Sequence, residues 1–219
     1  MKKIPKLVRE RRGLTGLETA IIVMAFVIVA AAFAFAVLNM GFQTSQRSTE
    51  VMQSGLQEAS SAIELDGAVI AYGGDAGNDG HADYVVNYTF CIKLSAGKHP
   101  VDLSPNTLVL TYTDPYTHKY DVYNSSKVFA KSEYNTAMQC LRNGTAAAII
   151  CEVRGDGDSM LEYGEKFLVA INITTVYGGN NPPLKPNDQV IVEVKPPVGA
   201  ILTVVRRLPP ALDMVMNLG

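Results

Sequence analysis

The chain divides into a long apolar first part and a second part in which apolar and polar residues alternate. Residues 20–38 contain no charged residue, glycine or proline, and no charge occurs between Thr19 and Gln46. Because an α-helix rises about 1.5 Å per residue, this run is long enough to span a hydrocarbon core of about 30 Å. Apolar or small residues then recur at spacings of three and four as far as Ile63, which indicates a continuing helix. We therefore predict one long helix over residues 14–65.

A helix that is apolar on every side at one end and striped at the other must be buried on all sides at the first end and along one face at the second. Lipid can bury the apolar half before assembly, and other copies of the same helix can bury it afterwards. We therefore expect a helical polymer with a core of bundled helices, in which a head-to-tail association extends without closing. The residues expected to act in assembly are Glu18, Ile21, Ile22, Phe26, Phe33, Phe35, Leu38, Met52 and Leu56.

Beyond residue 65 the sequence has the alternation and the turn residues that are typical of short strands. In Tyr84–Leu94 the even-numbered positions are apolar or aromatic, and they are predicted to share one face. Similar runs are Leu108–Thr113, Lys119–Tyr123, Ala146–Val153, Lys166–Val176, Gln189–Lys195 and Ala200–Arg206. About seven such strands predict an antiparallel immunoglobulin-like β-sandwich over residues 66–219, and hence an α+β chain.

Charge is distributed as unevenly as hydrophobicity. The first thirteen residues carry six bases and one acid, a net charge of +5, whereas the remainder carries 13 bases and 20 acids, a net charge of -7. By the positive-inside rule, the basic segment stays cytoplasmic and the acidic body lies outside the membrane. An acidic body repels phosphate, so the charge distribution argues against nucleic acid as a partner.

The apolar run alone is compatible with more than one kind of membrane segment. A secretory signal peptide has a shorter apolar region, of about 7 to 15 residues, and ends at an A-x-A-like site. Here the run is longer and continues into Asn39-Met40-Gly41, which is not such a site. A plain membrane anchor remains an alternative from length alone. A third interpretation depends on the residues that precede the run.

The sequence Arg11-Arg12-Gly13-Leu14 before the run resembles the class III signal of the type IV pilin superfamily. In that superfamily a membrane peptidase cuts after the glycine, and the apolar helix stays in the mature protein. More closely, GLTGLETAIIVMAFVIVAAAFAFAVLNMG (residues 13–41) is similar to the start of archaeal flagellins, or archaellins, of crenarchaeal type. The resemblance implies a cleaved signal over residues 1–13, with a class III signal peptidase and a membrane-embedded assembly and motor platform as partners.

Glu18 would be the fifth residue after cleavage, a position at which pilins commonly carry an acid. A carboxylate beside an unbroken apolar helix is costly in lipid, so it is expected to have a partner or a task. One hypothesis is that Glu18 pairs with the new amino terminus, its own or that of a neighbour, when the subunit enters a filament. The alternative is an interfacial carboxylate that stays hydrated.

Four asparagine sequons lie in the second part of the chain, at Asn87, Asn124, Asn143 and Asn172. Asparagine in N-x-S/T accepts N-linked glycans on proteins outside the cytoplasm. The strand alternation predicts that Asn87 and Asn172 point outward. We expect a glycan on at least one of the four, and the resemblance agrees, since archaellins are often N-glycosylated.

Acids alternate with glycine in the stretch Asp156-Gly157-Asp158, and Glu165 follows seven residues later. Such carboxylates can direct hard oxygen ligands at one point, as Ca²⁺ requires, and Asp156, Asp158 and Glu165 are the predicted ligands. The stretch departs from the EF-hand pattern, so a solvated hairpin turn is the alternative. No cofactor is expected to be required.

Cysteine and histidine give little sign of further chemistry. Cys140 and Cys151 close the shortest of the possible disulfide loops, whereas three free cysteines are the alternative. His81, His99 and His118 lie outside any of the common catalytic motifs, and no enzymatic activity is expected.

The pattern as a whole, with its resemblance, predicts a structural subunit of an extracellular archaeal flagellum filament used for swimming. An archaeal type IV adhesion pilin has a similar build and is the first alternative. A membrane-anchored domain outside the cell, which binds a ligand or hydrolyses a substrate and never polymerises, is the second.

Overall fold

The computed structural model describes residues 7–60, 62–77, 80–123 and 128–219. The chain forms two compact units, Met1–Ser54 and Gly55–Gly219. The first unit is helical, and the second consists mainly of β-sheet.

Helix α1 (Leu7–Ser60) is 54 residues long and supplies the first unit. It contains no proline, and its residues 20–38 are apolar throughout. Every side chain described between residues 16 and 56 is exposed. Within the described residues, Gly16–Leu56 is the one helical stretch that is long and apolar enough to cross a membrane. The long helix predicted from the sequence is therefore present, although it begins before residue 14 and ends before residue 65.

The second unit consists of short strands with two further helices. A 3-10 turn at Lys131–Glu133 precedes the first of these helices. In chain order the elements are β1 (Ile63–Leu65), β2 (Ile70–Gly74), β3 (Tyr84–Leu94), β4 (Val101–Asp102), β5 (Val109–Thr113), β6 (His118–Lys119), α2 (Tyr134–Arg142), β7 (Ala148–Arg154), β8 (Met160–Leu161), β9 (Lys166–Asn172), α3 (Ile173–Val176), β10 (Gln189–Lys195), β11 (Leu202–Arg207) and β12 (Val215–Asn217).

These strands form two main antiparallel sheets. The larger has the order β12-β2-β3-β9-β7, with β1 also paired to β3, and the smaller has the order β11-β10-β5-β6. Both contribute to one hydrophobic core, to which β3 supplies Tyr88 and Phe90, β5 supplies Leu110, and β10 supplies Val192 and Val194. Two sheets around one core are a β-sandwich, so the predicted α+β class with an antiparallel sandwich is confirmed.

Strand boundaries follow the predictions where alternation is regular. β3 and β10 have the predicted bounds, whereas Lys119–Tyr123 is not a strand beyond Lys119. The run predicted over Lys166–Val176 ends as a strand at Asn172, because residues 173–176 form α3. The long helix does not reach residue 65, because Ile63–Leu65 pairs with β3 instead.

The predicted face of β3 is wrong at its start. The register of β2 and β3 shifts between Tyr72 and Gly73, opposite Asn87 and Val85. Such a bulge adds one residue to one strand and reverses the side-chain alternation beyond it. Val85 is therefore fully buried while Val86 is only partly so.

Candidate functional site

The long apolar surface of α1 is the most extensive candidate interaction surface. The predicted assembly residues from Ile21 to Leu56 are all exposed in the single chain, among them Phe26 at 74%. Burying a large apolar side chain contributes about 1.5–3 kcal/mol, so a helix with this many exposed ones gains strongly from a partner. Large exposed apolar patches mark membrane or protein interaction sites.

The residues around the predicted cleavage point all lie within α1. Arg11, Arg12, Gly13 and Leu14 are helical, and their side chains lie outside the described part of the chain. Glu18 is exposed on the same helix, next to the charge-free run. The processing site and the pairing of Glu18 therefore stay predictions.

The acidic hairpin, residues 155–165, connects β7 to β9 and holds its shape with its own carboxylates. The Glu165 carboxylate accepts from two backbone N–H groups, that of Asp156 at Oε1 (3.2 Å) and that of Glu162 at Oε2 (3.0 Å). Asp158 Oδ1 accepts from the N–H of Met160 (2.7 Å). These bonds satisfy backbone donors in a tight connection, which a solvated hairpin turn requires.

The predicted calcium ligands do not form a metal site in this structure. Asp156, Asp158 and Glu165 turn oxygens toward the backbone instead of toward a common point. Throughout the described ranges, no group of three or more His, Cys, Asp or Glu side chains is placed to hold a metal ion. The alternative of a hydrogen-bonded hairpin fits the geometry better.

The carboxylate of Glu152 lies next to the hairpin, and the sequence analysis did not identify it as a candidate. It lies in β7, is only 2% exposed, and its Oε2 has no hydrogen-bond partner in the described part of the chain. A Cβ at Gly155 would lie 2.9 Å from Glu152 Oε1 and 2.8 Å from Glu165 Oε1. The two carboxylates therefore converge beside Gly155, and only glycine leaves them room.

This burial has an electrostatic consequence. Desolvation, with the nearby Glu165 and Asp156 carboxylates, raises the pKa of Glu152 above its ordinary value. The one signal in the sequence was a glutamate inside an otherwise apolar strand run, Ala146–Val153. That signal indicates a polar residue on the strand but not which way it points.

The four sequons differ sharply in accessibility. Asn172 is buried, donating from Nδ2 to the Leu141 carbonyl (2.6 Å) and accepting the Thr175 N–H at Oδ1 (2.9 Å). The prediction that it points outward is wrong, because α2 covers that face of β9. Asn87 is partly buried, Asn143 is exposed directly after α2, and Asn124 lies outside the described residues.

The cysteines are free thiols, so the Cys140–Cys151 disulfide does not form in this structure. Both residues border the small core beneath α2. The Cys151 thiol is directed at the Ala130 carbonyl (3.8 Å) instead of at Cys140. Burial raises the pKa of Cys151 to about 11, which keeps it protonated and unreactive near neutral pH.

The fold and the sequence are similar to those of flagellins from archaea. The model of the family "Archaeal-type flagellin" matches residues 13–206. Probable flagellin 1 of Aeropyrum pernix is 40% identical over 208 residues, which are 93% of this chain and 95% of that protein. Probable flagellin 2 of Archaeoglobus fulgidus is 34% identical over 212 residues, 94% of each chain.

Two solved structures share the fold. The archaeal flagellum of Methanospirillum hungatei strain JF1 has a TM-score of 0.61 at 24% identity, over 93% of this chain and 99% of that chain. The crystal structure of archaeal flagellin FlaB1 from Methanocaldococcus jannaschii has a TM-score of 0.53 at 13% identity, over 72% and 96%. At these identities, both likenesses concern the fold alone.

Replacing the buried acid should make the stability of the chain less dependent on pH. A carboxyl whose pKa is raised by folding destabilises the folded state as the pH rises from its unfolded pKa, about 4.3, to its folded pKa. We expect Glu152→Gln to raise the free energy of unfolding at pH 7 by about 1–3 kcal/mol, and to have little effect at about pH 3. Thermal unfolding of the full chain in detergent, with exposed Glu162→Gln as the control, measures this.

A second measurement, the melting temperature after chelation, can contradict this explanation. If chelation lowers the melting temperature of the parent chain and Glu152→Gln removes that sensitivity, Glu152 holds a cation and the explanation through a raised pKa is wrong.

Among the described sequons, the exposed Asn143 is the one expected to carry a glycan. Asn143→Gln should then lower the mass of the mature chain by one glycan, whereas Asn172→Gln should leave the glycan mass unchanged, because the Asn172 amide is enclosed. Intact-mass measurement of each variant, purified from native filaments, tests both expectations. Loss of a glycan from Asn172→Gln alone would contradict this assignment.

Proposed function

The chain belongs to the archaeal-type flagellin family, and from that membership we propose that it is the structural subunit of an extracellular flagellar filament that serves swimming. The observation that carries the proposal is α1, whose apolar side chains are exposed over some forty residues, Gly16–Leu56. Family members are structural filament proteins, so the proposed role is mechanical and involves no catalysis.

Assembly follows from the two units. Copies of α1 bury one another's apolar surface in the centre, and this burial provides the cohesion of the polymer. In a closed dimer, one copy of α1 can bury the apolar surface of the other on one side only. Subunits therefore add head to tail and form an open helical polymer. The β-sandwich carries the acidic residues and faces water, which keeps the polymer soluble.

The route to the filament begins in the membrane. The leader of net charge +5 holds the precursor with its amino terminus in the cytoplasm while the charge-free run, residues 20–38, spans the bilayer. A class III signal peptidase then cuts between Gly13 and Leu14. A membrane-embedded platform extracts the processed helix into the growing polymer, and its motor rotates the filament.

Glu18 lies just before the amino-terminal end of the apolar run in the processed chain. Leaving the bilayer removes the carboxylate from interfacial water, so it needs a cation, and the amino group released at Leu14 lies four residues away. An ion pair to this group, in the same or a neighbouring subunit, neutralises both charges in the helix core.

Deleting the gene tests the function directly. We expect cells without the protein to lose the filament and swimming while they still attach to surfaces, and the intact gene to restore swimming. An adhesion pilin would give the reverse pattern, with loss of attachment and normal swimming. A membrane-anchored domain that never polymerises would leave the filaments unchanged.

Removing the charge of Glu18 should reduce assembly. With Glu18→Gln we expect at least a tenfold loss of filament sheared from cells, with processed subunit retained in the membrane. Glu50→Gln, an exposed acid further along the same helix, is the matched control and should assemble normally. Normal filament yield from Glu18→Gln would remove the ion pair from the account.

A further inference from the structure

Helix α2 covers only part of the outer face of the larger sheet. Beneath it, Ala137 and Leu141 pack on Ile149 of β7 and Ala170 of β9. On the other side of the helix a groove of about 460 Å³ separates α2 from β2 and β3. The groove therefore lies on a part of the sheet face that α2 leaves uncovered.

The walls of the groove combine aromatic, polar and cationic groups. Tyr72 of β2 and Tyr134 of α2 are exposed beside it, and Arg142 is at the carboxyl end of α2. Asn87 also lines it, and Asn87 Oδ1 is a buried acceptor without a hydrogen-bond partner among the described residues. An unpaired acceptor in a structure calls for an explanation, and Tyr and Arg are enriched in protein interfaces.

Arg142 brings an unneutralised positive charge to this groove. In the described ranges no carboxylate forms an ion pair with it, although other pairs are present, such as Lys93 with Asp66. An exposed arginine beside tyrosines offers both a charge and a planar donor to a ligand with acidic and aromatic groups.

The acidic hairpin has the complementary chemistry. Its eleven residues include four acids and no base. Tyr163 at its tip is 74% exposed, and Glu162 beside it is exposed and, where the chain is described, lacks a cationic partner. The hairpin therefore presents an unpaired carboxylate next to an exposed ring.

The groove extends along the sheet from Tyr72 and Asn87 to Leu168, and its Tyr72 end and the hairpin lie at opposite ends of β9. Asn87 pairs with Asn172 at one end of β9, and Tyr72 pairs with Asn87. The hairpin joins β9 at the other end, at Lys166. Seven residues of strand separate these ends by about 20 Å. A head-to-tail contact uses two different patches on each subunit, and the groove and the hairpin are two such patches.

We propose that the acidic hairpin of one subunit docks into the groove between α2, β2 and β3 of a second copy in the filament, which rests on the function proposed above. Tyr163 packs between Tyr72 and Tyr134, and Glu162 pairs with Arg142. The contact repeats from copy to copy in the outer layer, so it adds to the cohesion that the helices supply in the core.

Cysteine cross-linking tests the contact in filaments sheared from cells. Tyr72→Cys combined with Tyr163→Cys should, under mild oxidation, link subunits into a ladder of dimers, trimers and higher multimers on a denaturing gel. The ladder distinguishes a head-to-tail contact from a symmetric one, which stops at dimers. Each single variant and the parent chain control for the native cysteines. The matched pair is Tyr72→Cys with Tyr120→Cys, an exposed position directly after β6 of the other sheet.

Charge reversal gives a second readout. Arg142→Glu should lower the temperature at which filaments dissociate, and adding Glu162→Arg should restore most of that loss, while each full chain in detergent melts as the parent does. Filaments that form from the double-cysteine variant without any ladder would overturn the contact but leave the filament function intact. A glycan attached at Asn87 would occupy the groove and also overturn it, whereas a parent chain that forms no filament would overturn both proposals.

Discussion

The burial of α1 is the interaction on which everything else in this molecule depends. A helix with Phe26, Phe33 and Phe35 exposed cannot remain in water as a single chain. It needs lipid on all sides or other helices on all sides, and these two environments are those of the membrane-bound precursor and the filament that we propose. The β-sandwich has its own core, so it can stay folded while α1 moves from one environment to the other.

Sequence patterns predicted the elements that depend on simple periodicity. The apolar run was sufficient to predict α1, and the regular alternation was sufficient to predict β3 and β10. In each case the spacing of the apolar residues specifies the type of element. The patterns failed where a tertiary contact decides between two local outcomes. Ile63 continues the helical spacing but pairs with Leu94, and a bulge between Tyr72 and Gly73 reverses the start of β3. The amphipathic helix α2 was not predicted, although Ala137, Met138 and Leu141 have helical spacing.

The candidate sites show the same division. The exposed assembly residues follow directly from the apolar pattern, since nothing in the described part of the chain buries them. The accessibility of a sequon cannot be predicted in this way. Strand alternation predicted that Asn172 points outward, but α2 covers it in the structure. The acidic residues of the hairpin were visible in the sequence, but Glu152 joins them only through the chain reversal between β7 and β9. The chemistry of these residues was thus predictable, and their surroundings were not.

The amino-terminal sequence of subunits in filaments sheared from cells tests the central claim, that α1 is inserted, processed and then buried by its own copies. The account predicts Leu14 as the first residue of the protein in the filament. Protein that begins at Met1 and remains in the membrane fraction, with none in the sheared material, would contradict it.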